Sequence, residues 1–205
     1  MIGPDSIEKQ TENKIDSHQI ISGLFDKALF SESLEFNNAF DFDSLQSFTF
    51  FKSGSFLRET EKNALIVQCE KDTTYIIKLY KFKDNGWQII DSINGLEAFP
   101  WQYDAIFDDY NFDGQKDIFI QLSASNGWSL SRGYLFILDQ STMRLNLHSE
   151  TNDFANMSPD HQTQTILSQE WNGYNQQGQH QITILKNKWI DGQLLTVSKK
   201  DTILN

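Results

Sequence analysis

The sequence predicts an all-β chain, a propeller-like array of antiparallel β-meanders with a tight acidic loop set between two strands. Three observations carry this. From Ser47 onward the apolar residues come in short runs rich in Ile, Val, Thr, Phe and Tyr, divided by Gly, Asn and Asp; that is the composition of strands and turns. Three hairpin-like stretches resemble one another: LYKFKDNGWQII around Gly86, YLFILDQSTMRLNL around Ser141 and TILKNKWIDGQLLTV around Gly192. Their turns recur at roughly 50 to 55 residues, near the ~40 to 50 residue period of propeller blades. Finally, DDYNFDGQKDI, Asp108 to Ile118, crowds acidic and amide residues between two apolar runs. The alternative fold is an antiparallel β-sandwich, in which hairpins also resemble one another because few turn types are available.

Taken in order, residues 1–16 are polar and charged and read as a flexible tail. Residues 17–205 form one β-rich domain, a size that a single core can fill. Within its lead-in, 17–46, SHQIISGLFDKALF places Ile20, Leu24 and Leu29 at helical spacing behind a possible cap at Ser17, which predicts a short helix. The strand runs follow: SFTFF, ALIVQCE, TYIIKLYKF, WQIIDSI, YDAIFD, DIFIQLS, YLFILD, RLNLHSE, QTILSQEW, QITILKNKW and LLTVSK.

The formal net charge is -11, which argues against nucleic acid as a partner because phosphate binding needs a basic face. A cation or a basic protein fits better. The one cysteine, Cys69, lies in an apolar run and reads as a small buried hydrophobe; a single Cys makes no internal disulfide and no cysteine-based zinc site. No run reaches the ~20 apolar residues of a membrane helix, and MIGPDSIEKQTENK has no apolar signal core. Both a cytoplasmic protein and an exported one whose leader has been removed agree with that.

In the acidic loop the oxygen-bearing residues alternate: Asp109, Asn111 and Asp113, then Gly114, with Asp117 closing the series. Calcium takes six to eight oxygen ligands, and alternate residues of a tight loop supply them. Asp109, Asn111 and Asp113 take loop positions one, three and five, Gly114 permits the turn that faces the Gln115 carbonyl to the ion, and Asp117 ligates directly or through water. The twelfth position, where an EF-hand needs Glu, is Ile120, and both flanks alternate like strands. Without a cation, gathering three carboxylates costs free energy through like-charge repulsion. With no His or Cys in the loop, zinc is disfavoured. A turn without metal is the competing reading, since Asp, Asn and Gly favour turns.

The pattern DYNFDGQKD resembles the calcium loops of FG-GAP-type β-propellers. The wider stretch FDDYNFDGQKDIFIQLSASNGWSLSRGYLFILDQSTMRLNLHSE, and the later ILKNKWIDGQLLTV, are similar to a family of small bacterial periplasmic lipoproteins. In that family the N-F-D-G-x-x-D loop is followed by a Gly-bearing segment, a Tyr-led strand and a D-x-x-T turn. The resemblance covers roughly Ala64 to Lys200. It implies a propeller-like fold with structural calcium held at Asp109, Asn111, Asp113, Gln115 and Asp117, and a periplasmic or cell-envelope lipoprotein whose leader has been removed. Some members inhibit lysozyme-like, peptidoglycan-cleaving effectors.

No catalytic set stands out. His18, His148, His161 and His180 lie far apart, and SASNGWSLSRG contains no G-x-S-x-G elbow, so no catalytic residue is assigned. A binding module is the leading class. Trp101 and Tyr103 in AFPWQY, and Trp128 in SASNGWSL, flank the acidic loop and are candidate partner anchors, with core packing as the competing reading. An acidic chain suits a basic peptidoglycan hydrolase. A calcium-stabilised carbohydrate- or surface-binding lipoprotein is the alternative function.

Overall fold

The computed structural model describes Ala39–Phe42 and residues 48 to 204, apart from 71–73, 85, 99–102, 125–129 and 140. The predicted helix over the 17–30 region lies outside the described residues. Among the described residues there are thirteen strands, one 3-10 turn at Ser149–Thr151 and no α-helix. Three antiparallel sheets follow one another along the chain. The first runs β1 (Ala39–Phe42), β2 (Phe48–Arg58), β3 (Glu61–Glu70), β4 (Thr74–Lys83), β5 (Gly86–Glu97). The second runs β6 (Ala105–Asp108), β7 (Asp117–Ala124), β8 (Ser131–Leu138), β9 (Leu145–Leu147). The third runs β10 (Ala155–Asp160), β11 (Thr165–Tyr174), β12 (His180–Ile190), β13 (Gln193–Leu204). Each is a meander in which strands adjacent in sequence are adjacent in space.

All eleven expected strands fall on observed ones. The three look-alike hairpins are β4–β5, β8–β9 and β12–β13, the closing hairpins of the three sheets. The recurrence therefore marks a repeated unit. Their turns solve one problem in two ways. In the first and third, two residues connect Lys83 to Gly86 and Ile190 to Gln193. Asp191 and Gly192 both have positive φ, 49° and 78°, the twist that matches a strand pair. The second uses the D-x-x-T turn: Asp139 Oδ1 accepts the Ser141 and Thr142 N–H groups at 2.8 Å each and the Ser141 hydroxyl at 2.7 Å. Those donors, led by the Thr142 N–H, hold the Asp139 carboxyl down to about 2.

The second sheet lies between the other two. Ile118, Ile120, Tyr134, Phe136 and Leu138 join Leu65, Tyr75, Ile77 and Leu79 of the first sheet in one apolar cluster. The intervening Phe119, Leu135 and Ile137 join Met157, Ile166 and Leu194 of the third. Thus IFI (Ile118–Ile120) and YLFIL are unbroken runs of apolar and aromatic residues because alternate residues face opposite sheets and both faces are covered. Each such side chain contributes about 1.5 to 3 kcal/mol by leaving water. Cys69 is fully buried in the first of these clusters, as expected of a small hydrophobe.

Two strands were not legible. β1 is four residues long, and β10, ANMSPD, mixes polar residues with Pro159. Proline cannot donate to a ladder, so it suits the edge position that β10 occupies. Asn156, at φ 52°, makes a bulge there and spends its side chain on a link between sheets, accepting the Ser131 N–H at 2.7 Å and donating to Gln169 Oε1 at 2.9 Å.

Gly133 marks the tightest point of the central sheet. A Cβ there would overlap the Ile120 carbonyl oxygen and stand 2.6 Å from Phe119 Cζ. Since backbone cannot yield as a side-chain tip can, Gly133→Ala is expected to destabilise by about 3 kcal/mol. Gly86→Ala, where a Cβ meets nothing within 4 Å, is expected to cost less than about 1 kcal/mol. Urea denaturation of the two variants checks this, and equal midpoints would refute it.

Candidate metal centre

The loop between β6 and β7 is wound by its own side chains. Asp109 Oδ1 accepts the Asp113 N–H at 3.1 Å and Oδ2 accepts the Gly114 N–H at 2.8 Å. Asn111 Oδ1 accepts the same Asp113 N–H at 3.1 Å, and Asp113 Oδ1 accepts the Gln115 N–H at 2.8 Å. Asn111 Nδ2 donates to Asp113 Oδ2 at 2.9 Å. Because one N–H serves both Asp109 and Asn111, their oxygens lie side by side over a single point of positive charge. Gly114, at φ 88°, supplies the left-handed step that sequence spacing required of it. Asp113 and Gly114 are exposed, whereas Asp109, Asn111 and Gln115 are half-buried.

Asp117 is placed differently. Its side chain is fully buried. Oδ2 accepts the Tyr110 N–H at 2.9 Å and the Asn111 N–H at 3.3 Å, and Oδ1 accepts the Leu138 N–H at 2.9 Å. A carboxylate has about four lone-pair directions, so one remains. Burial pushes the Asp117 carboxyl up, from 3.8 to about 7, against the pull of the three N–H groups. Among the described residues no group of three or more His, Cys, Asp or Glu side chains converges on one point. Asp109 and Asp113 supply carboxylates over the turn, and the other oxygens suited to a hard cation are those of Asn111 and the Gln115 carbonyl. This donor set fits calcium in kind, being all oxygen, and suits neither zinc nor copper.

The loop is tied to all three sheets. On one side Arg58 Nε donates to Gln115 Oε1, and the Lys116 N–H reaches the Leu57 carbonyl at 3.5 Å. On the other, Trp189 Nε1 donates to the Tyr110 carbonyl at 2.8 Å, and His161 Nε2 lies 3.0 Å from Asp108 Oδ1. Phe112 meets the His161 ring edge to face at 5.8 Å. Asp108 is half-buried, and the Oδ1 that faces His161 also accepts the Asp109 N–H at 2.8 Å.

Of the expected partner anchors, Trp101 and Trp128 lie outside the described residues. Tyr103 is half-buried in the seam between the first two sheets, its ring 5.0 Å from Phe50 and 6.0 Å from Tyr75. Its hydroxyl is held well above the usual tyrosine range by burial. The competing reading of core packing therefore describes Tyr103. Residues missed at the sequence level include Arg58, His161 and Trp189, which reach the loop from far along the chain. One signal was available: Asp160-His-Gln-Thr163 repeats the D-x-x-T turn, with Asp160 Oδ2 accepting the Thr163 hydroxyl at 2.6 Å, and this turn presents His161 to the loop.

Compared with protein-family models, with curated proteins and with solved structures, the chain matches none.

The buried carboxyl gives a pH signature. Asp117 binds its proton more tightly folded than unfolded, so its contribution is fully present below about pH 4 and is lost as pH rises toward about 7. In calcium-free buffer, unfolding free energy is expected to fall over that window by an amount on the order of 4 kcal/mol. Asp117→Asn is expected to flatten the slope while lowering overall stability. An unchanged slope in the variant, read by denaturation at successive pH values, would exclude Asp117 as its source.

Proposed function

We propose that this chain is a non-enzymatic, calcium-binding, propeller-like module of the bacterial cell envelope that acts by binding another protein, such as a lysozyme-like cell-wall hydrolase. The observation that carries the reading is the winding of Asp109, Asn111 and Asp113 over one turn closed by Gly114. Asp109, Asn111, Asp113 and the Gln115 carbonyl would hold calcium, with Asp117 contributing its remaining lone pair or a bridging water. Bound calcium neutralises the loop carboxylates and fixes the loop against the three sheets that meet there. Three successive meanders with matching closing hairpins support the propeller-like geometry. The envelope placement and the hydrolase rest on the likeness of loop and hairpins to the periplasmic lipoproteins. The net charge of -11 favours encounter with a basic protein. Trp101 and Trp128 serve as its anchors in this reading.

One observation favours the alternative, a carbohydrate-binding protein. A cleft of about 290 Å³ on the third sheet is lined by Asn172, Gln181, Asp201, Thr202 and Ile203. Asp201 Oδ1 accepts from Thr183 Oγ1 at 2.6 Å, and that hydroxyl accepts from Asn172 Nδ2 at 2.6 Å. Amides, hydroxyls and a carboxylate beside one apolar side chain, Ile203, suit a polyol.

Calorimetric titration of the chelated protein with calcium is expected to give saturable heat. At a hundredfold excess over Kd the gain is about 2.7 kcal/mol, several degrees in Tm for a chain of this size. Asp109→Ala with Asp113→Ala is expected to abolish both signals. No heat and an unmoved Tm at millimolar calcium would reject the site. For the partner, micromolar protein is expected to suppress candidate muramidases. Unchanged muramidase activity together with glycan-array binding lost in Asp201→Asn would select the carbohydrate reading instead.

A further inference from the structure

The third sheet has one face against the second sheet and an outer face on which Ile182 is buried beside Trp171 while Lys186, Lys188, Ile190, Leu195 and Lys200 are exposed. Register assigns the side chains. Ile166, Asn187 and Thr196 are paired on the inner face, as are Trp189 and Leu194. The outer face carries Trp171 beside Ile182, Lys188 beside Leu195, and Ile184 beside Lys200. Lys186, opposite Leu167, and Ile190 share that face.

This face is unusual in the molecule in two respects. Eight large apolar side chains are exposed among the described residues, and only Ile89 and Ile106 lie outside the third sheet. Trp171, Tyr174, Ile190 and Leu195 on the outer face are 48%, 59%, 43% and 44% exposed. Second, a chain of net charge -11 gathers exposed Lys186, Lys188 and Lys200 there, and the nearby carboxylate that feels Lys186 is Asp160 at the corner. No arginine occurs in the whole of β10–β13.

We propose that this face rests on an anionic membrane surface. Positive charge interleaved with apolar side chains calls for an occupant both acidic and apolar, which an acidic protein or an anionic bilayer could be. The cation type decides between them. Protein interfaces favour arginine and are depleted in lysine, whereas lysine lays its alkyl stem along apolar surface and keeps its ammonium at headgroup level. Trp171 and Tyr174, whose rings lie 6.0 Å apart edge to face, are the residue types that settle at a membrane boundary. Phosphate headgroups meet the three lysines while Ile190, Leu195 and the two aromatics enter the acyl boundary.

The test is flotation of the full chain with vesicles of phosphatidylglycerol and phosphatidylcholine, in chelator so that calcium cannot bridge chain and lipid. Binding is expected with phosphatidylglycerol, weakening as salt rises, and absent with phosphatidylcholine alone. The variant Lys186→Gln, Lys188→Gln, Lys200→Gln is expected to partition on the order of a hundredfold less well, from about 1 kcal/mol per lysine. Trp171→Ala is expected to lose several-fold; the melting curve of the lysine variant is expected to be unchanged because its side chains are exposed, and that of Trp171→Ala to fall by at most a few degrees, since its half-exposed ring sits beside the buried Ile182. The proposal falls if anionic vesicles leave the chain in solution, if neutral vesicles bind it equally, or if the triple variant binds as before. Sedimentation showing a dimer that the triple variant abolishes would also overturn it, by assigning the face to a second copy.

Discussion

The buried carboxylate of Asp117 is the constraint from which the rest of the central sheet is arranged. It takes N–H groups from Tyr110 and Asn111 at the start of the acidic loop and from Leu138 at the end of β8. One side chain thereby fixes the loop, the start of β7 and the end of the neighbouring strand β8. Removing it would leave three N–H groups inside without partners, at about 1 to 3 kcal/mol each. Its own desolvation opposes the arrangement, so the site is strained electrostatically until something positive offsets it. A cation held nearby, as proposed, is one way to offset that cost.

Much of the fold could be read from the sequence because its strands alternate in the regular way or run apolar where two faces are buried. The unbroken IFI (Ile118–Ile120) and YLFIL runs are strands because each alternate residue finds a different neighbouring sheet. What escaped was short or irregular: β1 has four residues, and β10 carries a proline and a bulge at Asn156. The loop's winding was legible in its D-x-N-x-D-G spacing, because Asp and Asn at alternate positions cap successive N–H groups. The inward turn of Asp117 was not, since spacing alone does not say which side of the loop a carboxylate faces. Arg58 and Trp189 were beyond reach as well, because nothing local to them refers to the loop.

Electrostatics divides the molecule. The loop carboxylates over Asp113 and the basic outer face of the third sheet are separate regions of opposite sign in a strongly acidic chain. Lys52 lies half-buried against two aromatic rings. Its ammonium lies 4.8 Å from the Phe107 ring centre and 5.7 Å from that of Phe56, ring faces that attract positive charge. Burial, with Lys116 nearby, lowers its pKa.

Every strand pairing described here joins neighbours along the chain. Each meander therefore closes only short loops as it forms, and the entropy of closing long ones is confined to the docking of sheet on sheet. Beyond the apolar contacts between sheets, two hydrogen bonds of long reach meet at one loop: Trp189 reaches Tyr110 across 79 residues, and Arg58 reaches Gln115 across 57. The acidic loop is thus a register mark for assembly. A chain whose sheets have formed but whose loop is not yet wound has nothing at that place to tell one sheet how to seat on the next.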